Sequence, residues 1–208
     1  MSRFLLAASL VVAVFSPHAG AQAAREAWRG FAKAGFSTDV DAALDWGRVK
    51  VYFFRGPNYL RYDVAAESVD DGYPKPIAGN WNGLDRGGFD KGIDAVINWG
   101  NGKIFFFRGP NYLRYDISAD RVDDGFPKPI AGNWNGLDRA GFDKGVRAPV
   151  NWGNGKVFFF RGPDYVRFDI DVDTGSKARR FSHARLGDLV RAARPDVRSL
   201  GAQPWFHL

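Results

Sequence analysis

The sequence predicts an all-β chain arranged as a β-propeller of three clear repeats, and three observations predict it. The first is repetition at a fixed step of 53 residues. Arg55-Gly56-Pro57-Asn58-Tyr59 recurs as Arg108-Gly109-Pro110-Asn111-Tyr112 and as Arg161-Gly162-Pro163-Asp164-Tyr165. Trp46, Trp99 and Trp152 keep the step, as do Trp28, Trp81 and Trp134. The second is the strand Lys103-Ile104-Phe105-Phe106-Phe107. Successive strand side chains point to opposite faces, so three consecutive phenylalanines make both faces apolar. A sheet wet on one face would alternate. Each small sheet must therefore lie between neighbours. The third is the repeat length, which suits radially packed blades; a stacked β-solenoid is the alternative.

Each copy carries the same local signals in order. A short inner segment comes first, such as Asp94 to Trp99. Asn101-Gly102 and Asn154-Gly155 then suit a type I′ turn, which requires positive φ at both corners. The first copy has Arg48-Val49 there, which predicts a different turn. The apolar strand follows, then Gly-Pro-Asn, with Pro pre-set for the turn and Asn tolerant of its second corner. Tyr112 to Asp116 forms the next strand, and Gly125 to Leu137 closes the unit. Phe106 and Phe159, mid-strand in such runs, are expected in the core.

Composition sets the class. The chain has 208 residues, 45% hydrophobic and 15% aromatic, enough for a packed core and unlike a disordered chain. Cysteine is absent, which excludes disulfides, thiol catalysis and thiolate metal sites. The N-terminus reads as a signal peptide over residues 1–23. Arg3 precedes the apolar run Phe4 to Phe15, and Ala21-Gln22-Ala23 supplies a cleavage site. A buried N-terminal helix is the alternative. The run is too short to span a bilayer. The mature product is expected to be secreted or periplasmic.

Taken together, Asp41-Ala42-Ala43-Leu44, Val51-Tyr52-Phe53-Phe54-Arg55-Gly56, Tyr59-Leu60-Arg61-Tyr62-Asp63 and Gly72-Tyr73-Pro74-Lys75-Pro76-Ile77 resemble a hemopexin repeat. The resemblance covers residues 39 to 186, in repeats of about 41–93, 94–146 and 147–186, with a tail at 187–208. The third copy loses the Gly-Tyr-Pro-Lys portion after Ile170. The resemblance implies a four-bladed disc around a narrow channel, used mainly for binding. Only three repeats are clear. A partial fourth blade from the termini, or a second copy in a homo-oligomer, is needed to fill the disc. Trp28 to Val40 aligns with Trp81 to Ile93 as a partial leading unit.

The resemblance further implies that the first residues of the inner strands turn backbone carbonyls into the channel, where calcium or another ion sits. The matching positions are Asp41, Asp94 and Arg147. Carbonyl oxygens suit a hard cation, and the positive Arg147 opposes one. A dry or water-filled channel is the alternative. Haem is not expected: a bis-histidine site would have to use His183 and His207, both beyond the clear repeats.

No nucleophile elbow, zinc-protease or phosphate-loop motif occurs, so an enzyme is not expected. Asp63, Asp116 and Asp169 each lie two residues after an arginine, on one strand face, and read as structural ion pairs. Lys177, Arg179, Arg180, Arg185, Arg191, Arg194 and Arg198 face only Asp188 and Asp196, an excess of five in a chain of net charge +6. Leu186, Leu189, Val190 and Ala193 have helical spacing within that stretch, which predicts a short basic C-terminal helix. Contact with a polyanion is one reading, a solvated basic face the other. The function expected is that of a non-enzymatic binding protein for a protein, polyanion or small ligand. The alternative is a carrier of a small ligand or metal, including haem.

Overall fold

Apolar strands cut by glycine turns fold here into three antiparallel sheets. The structure, a computed structural model, describes residues 28–169 except 48, 135, 139, 140, 154 and 162, plus the backbone of 181–185; Asp169 is described by backbone alone. The first sheet holds β1 (Ala42–Gly47), β2 (Lys50–Arg55), β3 (Asn58–Asp63), β4 (Ser68–Val69) and β5 (Lys75–Pro76). The second holds β6 (Ala95–Asn98), β7 (Lys103–Arg108), β8 (Asn111–Asp116), β9 (Arg121–Val122) and β10 (Lys128–Pro129). The third holds β11 (Ala148–Asn151), β12 (Lys156–Arg161), β13 (Asp164–Asp169) and β14 (Phe181–Arg185). In the first two sheets the outermost position is split: β4 and β5 both pair with β3, as β9 and β10 pair with β8. In the third it is one continuous strand, because β14 pairs with β13 from Phe181 opposite Phe168 to Arg185 opposite Asp164.

The sheets are blades set side by side, with inner strand β6 packed against both β1 and β11. Phe105, Phe106 and Phe107 are all buried, and Phe106 and Phe159 are fully so. Phe106 meets Phe54 of the preceding blade, and Phe107 meets Phe159 of the following one. Both faces of the middle blade are thus covered, as three consecutive phenylalanines require.

Tryptophan wedges fill the joints. Trp81, on the segment leaving β5, meets Trp46, Tyr52, Phe54 and Tyr59 of the blade behind it at ring separations of 5.5–5.8 Å. On its other side it meets Phe106 and Tyr115 of the blade ahead. Trp134 repeats the arrangement between the second and third blades, from Phe105 and Tyr112 to Phe159 and Phe168. Most of these contacts are edge-to-face, the geometry aromatic quadrupoles prefer. The leading partial unit is a third wedge: Trp28, Phe31 and Phe36 pack on Phe53, Leu60 and Tyr62 of the first blade.

Three turn expectations are corrected. Asn101 does not take positive φ; the positive angles fall at Gly100 and Gly102, 89° and 79°. The loop is not type I′ but a longer one, held by the Gly100 N–H donating to the Asn98 side chain at 3.0 Å. Nor does the first copy differ there. Gly47 has φ 81° and Val49 φ 60°, and the Gly47 N–H donates to Asp45 at 2.8 Å. Strand pairing and the side-chain bond impose the same loop on an unsuitable residue. A β-branched residue at positive φ is strained, and Val49 is also exposed. Val49→Gly is therefore expected to raise stability by about 1 kcal/mol, read as a higher denaturant midpoint; a lower midpoint would count against the strain. In the Gly-Pro-Asn turn, Arg55 already pairs with Asn58, so the corners are Gly56 (φ 51°) and Pro57, and Asn58 begins β3.

The residues of the expected C-terminal helix, Leu186 to Ala193, lie outside the described residues, as does the signal segment 1–23. The helical elements that are described are 3-10 turns at Arg86–Lys91 and Phe142–Lys144. No helix among the described residues is long and apolar enough to cross a membrane.

Candidate functional site

Inner strands β1, β6 and β11 wall a cavity of about 260 Å³, lined in part by Leu44, Val96, Ile97, Pro149 and Val150. Among the described residues it has three walls. Polar groups gather where these strands end. The Asn98 side-chain amide donates to the Asp45 carbonyl at 3.3 Å. The Asn151 amide donates to the carbonyls of Asn98 and Trp99 at 3.1 and 3.2 Å. Each blade thereby grips the one before it.

Where the strands begin lie the residues expected to hold an ion. The Gly56 N–H donates to Asp41 Oδ2, and the Gly109 N–H to Asp94 Oδ2, each at 2.6 Å. These aspartates brace the turn between the second and third strands of their own blades. Their main-chain N–H groups donate to Phe54 and Phe107 at 2.9 Å. In the third blade the equivalent residue is Arg147, which is exposed and has no carboxylate to offer. For a channel cation this leaves main-chain carbonyls, which suit a hard cation, with the positive charge of Arg147 beside them opposing one. Among the described residues no three His, Asp or Glu side chains converge as metal ligands.

Asp63 and Asp116 do form ion pairs, but with partners other than the arginines two residues before them. Lys50 Nζ reaches Asp63 at 2.7 Å and Asp70 at 2.9 Å, while Arg61 binds Asp70. The second blade repeats this with Lys103, Asp116, Asp123 and Arg114. Strand register explains the choice, since Lys50 lies directly opposite Asp63. The Lys50 hydrogen bond holds the Asp63 carboxyl below the usual carboxylate range. Burial pushes Asp70 up, but the bonds from Lys50 and Arg61 outweigh it and leave it lowered. Arg61 also lies over the Tyr73 ring, and Arg114 over Phe126. The clusters pin the outermost strands and have no free acid or base. Asp70 and Asp123 escaped the sequence reading, although they too recur at the 53-residue step. In the third blade Lys156 lies opposite Asp169 in the same register.

Of the basic residues singled out, Arg185 is described, by backbone alone, as the end of β14. Lys177, Arg179, Arg180, Arg191, Arg194 and Arg198 lie outside the described residues. His183 stands on β14 opposite Val166, and His207 is outside.

The family model of Hemopexin matches residues 40–86 and 93–139, the first two blades with their wedges. Among curated proteins, matrix metallopeptidase-21 of Danio rerio is 30% identical over 168 residues, 74% of this chain and 26% of that protein. Macrophage metalloelastase of Oryctolagus cuniculus is 41% identical over 88 residues, 42% of this chain and 18% of that protein. The chain thus spans about a quarter or less of these relatives. Among solved structures, a plant albumin from Cicer arietinum showing hemagglutination aligns with TM-score 0.70 at 22% identity, covering 83% of this chain and 80% of that one. The hemopexin fold protein CP4 from cow pea aligns with TM-score 0.61 at 19% identity, covering 75% and 72%. Repeats, wedges and both kinds of likeness agree, and the chain belongs to the hemopexin-like repeat family.

Proposed function

We propose that the mature chain is a secreted, non-enzymatic binding module whose partner engages the inner-strand cavity. The observation that supports this most is how the repeated charged groups are used. Asp41 and Asp94 brace turns, and the Lys50 and Lys103 clusters pin strands, so each serves its own blade. The three-walled cavity, lined largely by apolar inner-strand residues, is then a concave feature available for recognition. The test is native mass spectrometry with elemental analysis of the purified mature chain. An interaction module is expected at its bare mass, without metal or pigment. A stoichiometric small ligand, haem included, would establish the carrier reading in its place.

The channel ion has its own test. A cation held by the carbonyls of Asp41, Asp94 and Arg147 would stabilise the folded state by linkage. Because Arg147 opposes a cation, melting curves in EDTA and in millimolar calcium are expected to coincide. A melting temperature that falls in chelator and recovers with calcium would establish the ion.

A further inference from the structure

The third blade carries one face that the other two blades bury under a tryptophan wedge. In the first blade Trp46, Tyr52, Phe54 and Tyr59 receive Trp81; in the second, Trp99, Phe105, Phe107 and Tyr112 receive Trp134. The third blade has the same four aromatic positions. Trp152, Phe158 and Tyr165 follow one another at 5.5 and 5.8 Å, and Phe158 stacks on Phe160 at 6.3 Å. Yet Trp152 is 61% exposed where Trp99 is 4% exposed, and Phe158, Phe160 and Tyr165 are only half-buried. A 53-residue step from Trp134 falls on Gly187, so no tryptophan stands at the next wedge position.

We infer that the chain's own segment Leu186 to Ala193 covers this face, as an aliphatic wedge in place of the tryptophan one. Strand register is the first support. In the first blade β5 ends with Pro76 opposite Asn58, and the next residue, Ile77, donates its N–H to the Pro57 carbonyl at 2.8 Å. Ile130 does the same to Pro110. In the third blade β14 ends with Arg185 opposite Asp164, so it delivers Leu186 to the place of Ile77, with Pro163 in the place of Pro57.

Residue spacing is the second support. The wedges bury Ile77, Trp81 and Leu84, then Ile130, Trp134 and Leu137, at offsets of zero, four and seven. From Leu186 the same offsets fall on Val190 and Ala193. The fourth buried position of each wedge, Phe89 or Phe142, corresponds to Arg198, so the likeness stops short of it. A wedge of smaller side chains closes the joint less fully than tryptophan. It still removes an aromatic patch that soluble chains seldom leave exposed. Arg191 and Arg194 each follow an apolar wedge position, so seating the segment carries basic charge to the open side of the array.

The chain has no cysteine, so introduced thiols are the only ones present. Trp152→Cys replaces an exposed residue, and Val190→Cys occupies the position of Trp81. The double variant, shown folded by a melting curve close to that of the unaltered chain, is treated with a short bismaleimide. Most chains should become cross-linked internally, at monomer mass. Links only between chains would show that a second copy covers the face, and no link would show that the segment lies elsewhere; either result overturns the inference. The unaltered chain is expected to be a monomer by light scattering at micromolar concentration, and a dimer would equally overturn it.

Discussion

Trp134→Ala should lower the unfolding free energy by about 3–5 kcal/mol, whereas Trp152→Ala, whose ring meets Phe158 and is covered only by the smaller aliphatic wedge inferred above, should cost about 1–2 kcal/mol. Both residues belong to the repeat pattern, yet Trp134 is 1% exposed and Trp152 is 61% exposed. Trp134 joins two blades, touching Phe105 and Tyr112 on one side and Phe159 and Phe168 on the other. Its loss leaves a cavity between sheets that are each pinned by their own hydrogen bonds, so the gap collapses poorly. Chemical denaturation of both variants measures the difference. Similar losses would contradict the role of wedge residues as joints between blades.

Phe106→Ala is expected to cost about 3–5 kcal/mol, and Phe158→Ala on the half-buried face about 1 kcal/mol. Phe106 is fully buried and meets Phe54, Trp81 and Tyr115. It faces the first blade, and its neighbours in sequence, Phe105 and Phe107, face the wedge of Trp134 on the other side. A loss below about 1 kcal/mol for Phe106→Ala would argue that the middle blade is not enclosed on both faces.

The fold was legible because its main determinants are local and repeated. A 53-residue step without insertion fixes equivalent positions, and three adjacent phenylalanines reveal a blade packed on both sides. The turn geometry was not legible. Asn101-Gly102 has the composition of a type I′ corner, but a side-chain bond from Asn98 two residues before Gly100 selects a longer loop. The same bond at Asp45 forces Val49 into an angle its own preference opposes. The candidate site was legible in position, but the use of its carboxylates was not. Asp41 and Asp94 do stand where the inner strands begin, but their carboxylates meet Gly56 and Gly109, fifteen residues away, a pairing that register creates and local pattern does not show. Arg61 and Asp63 share a strand face, but the lysine on the neighbouring strand is closer to the aspartate than the arginine two residues away. Asp70 remained unseen because it comes from the split outermost strand, which periodicity does not reveal.

The grip of each blade on the one before it gives the array a polarity. Asn98 donates back to the first blade and Asn151 back to the second, while the first blade has Asp45, which lacks an amide to donate. Among the described residues, the side-chain hydrogen bonds between inner strands therefore run in one direction along the chain. In a one-dimensional array with nearest-neighbour coupling, the end unit held more weakly is the first to open. The third blade is coupled backward through Asn151 and Trp134 and forward only through the smaller aliphatic wedge inferred above, whereas the first is backed by the aromatic Trp28 wedge. Fraying is thus biased toward the C-terminal blade, and amide exchange should grow slower from β12 to β7. The middle blade, clasped from both sides, would be the last element to lose its protons to solvent.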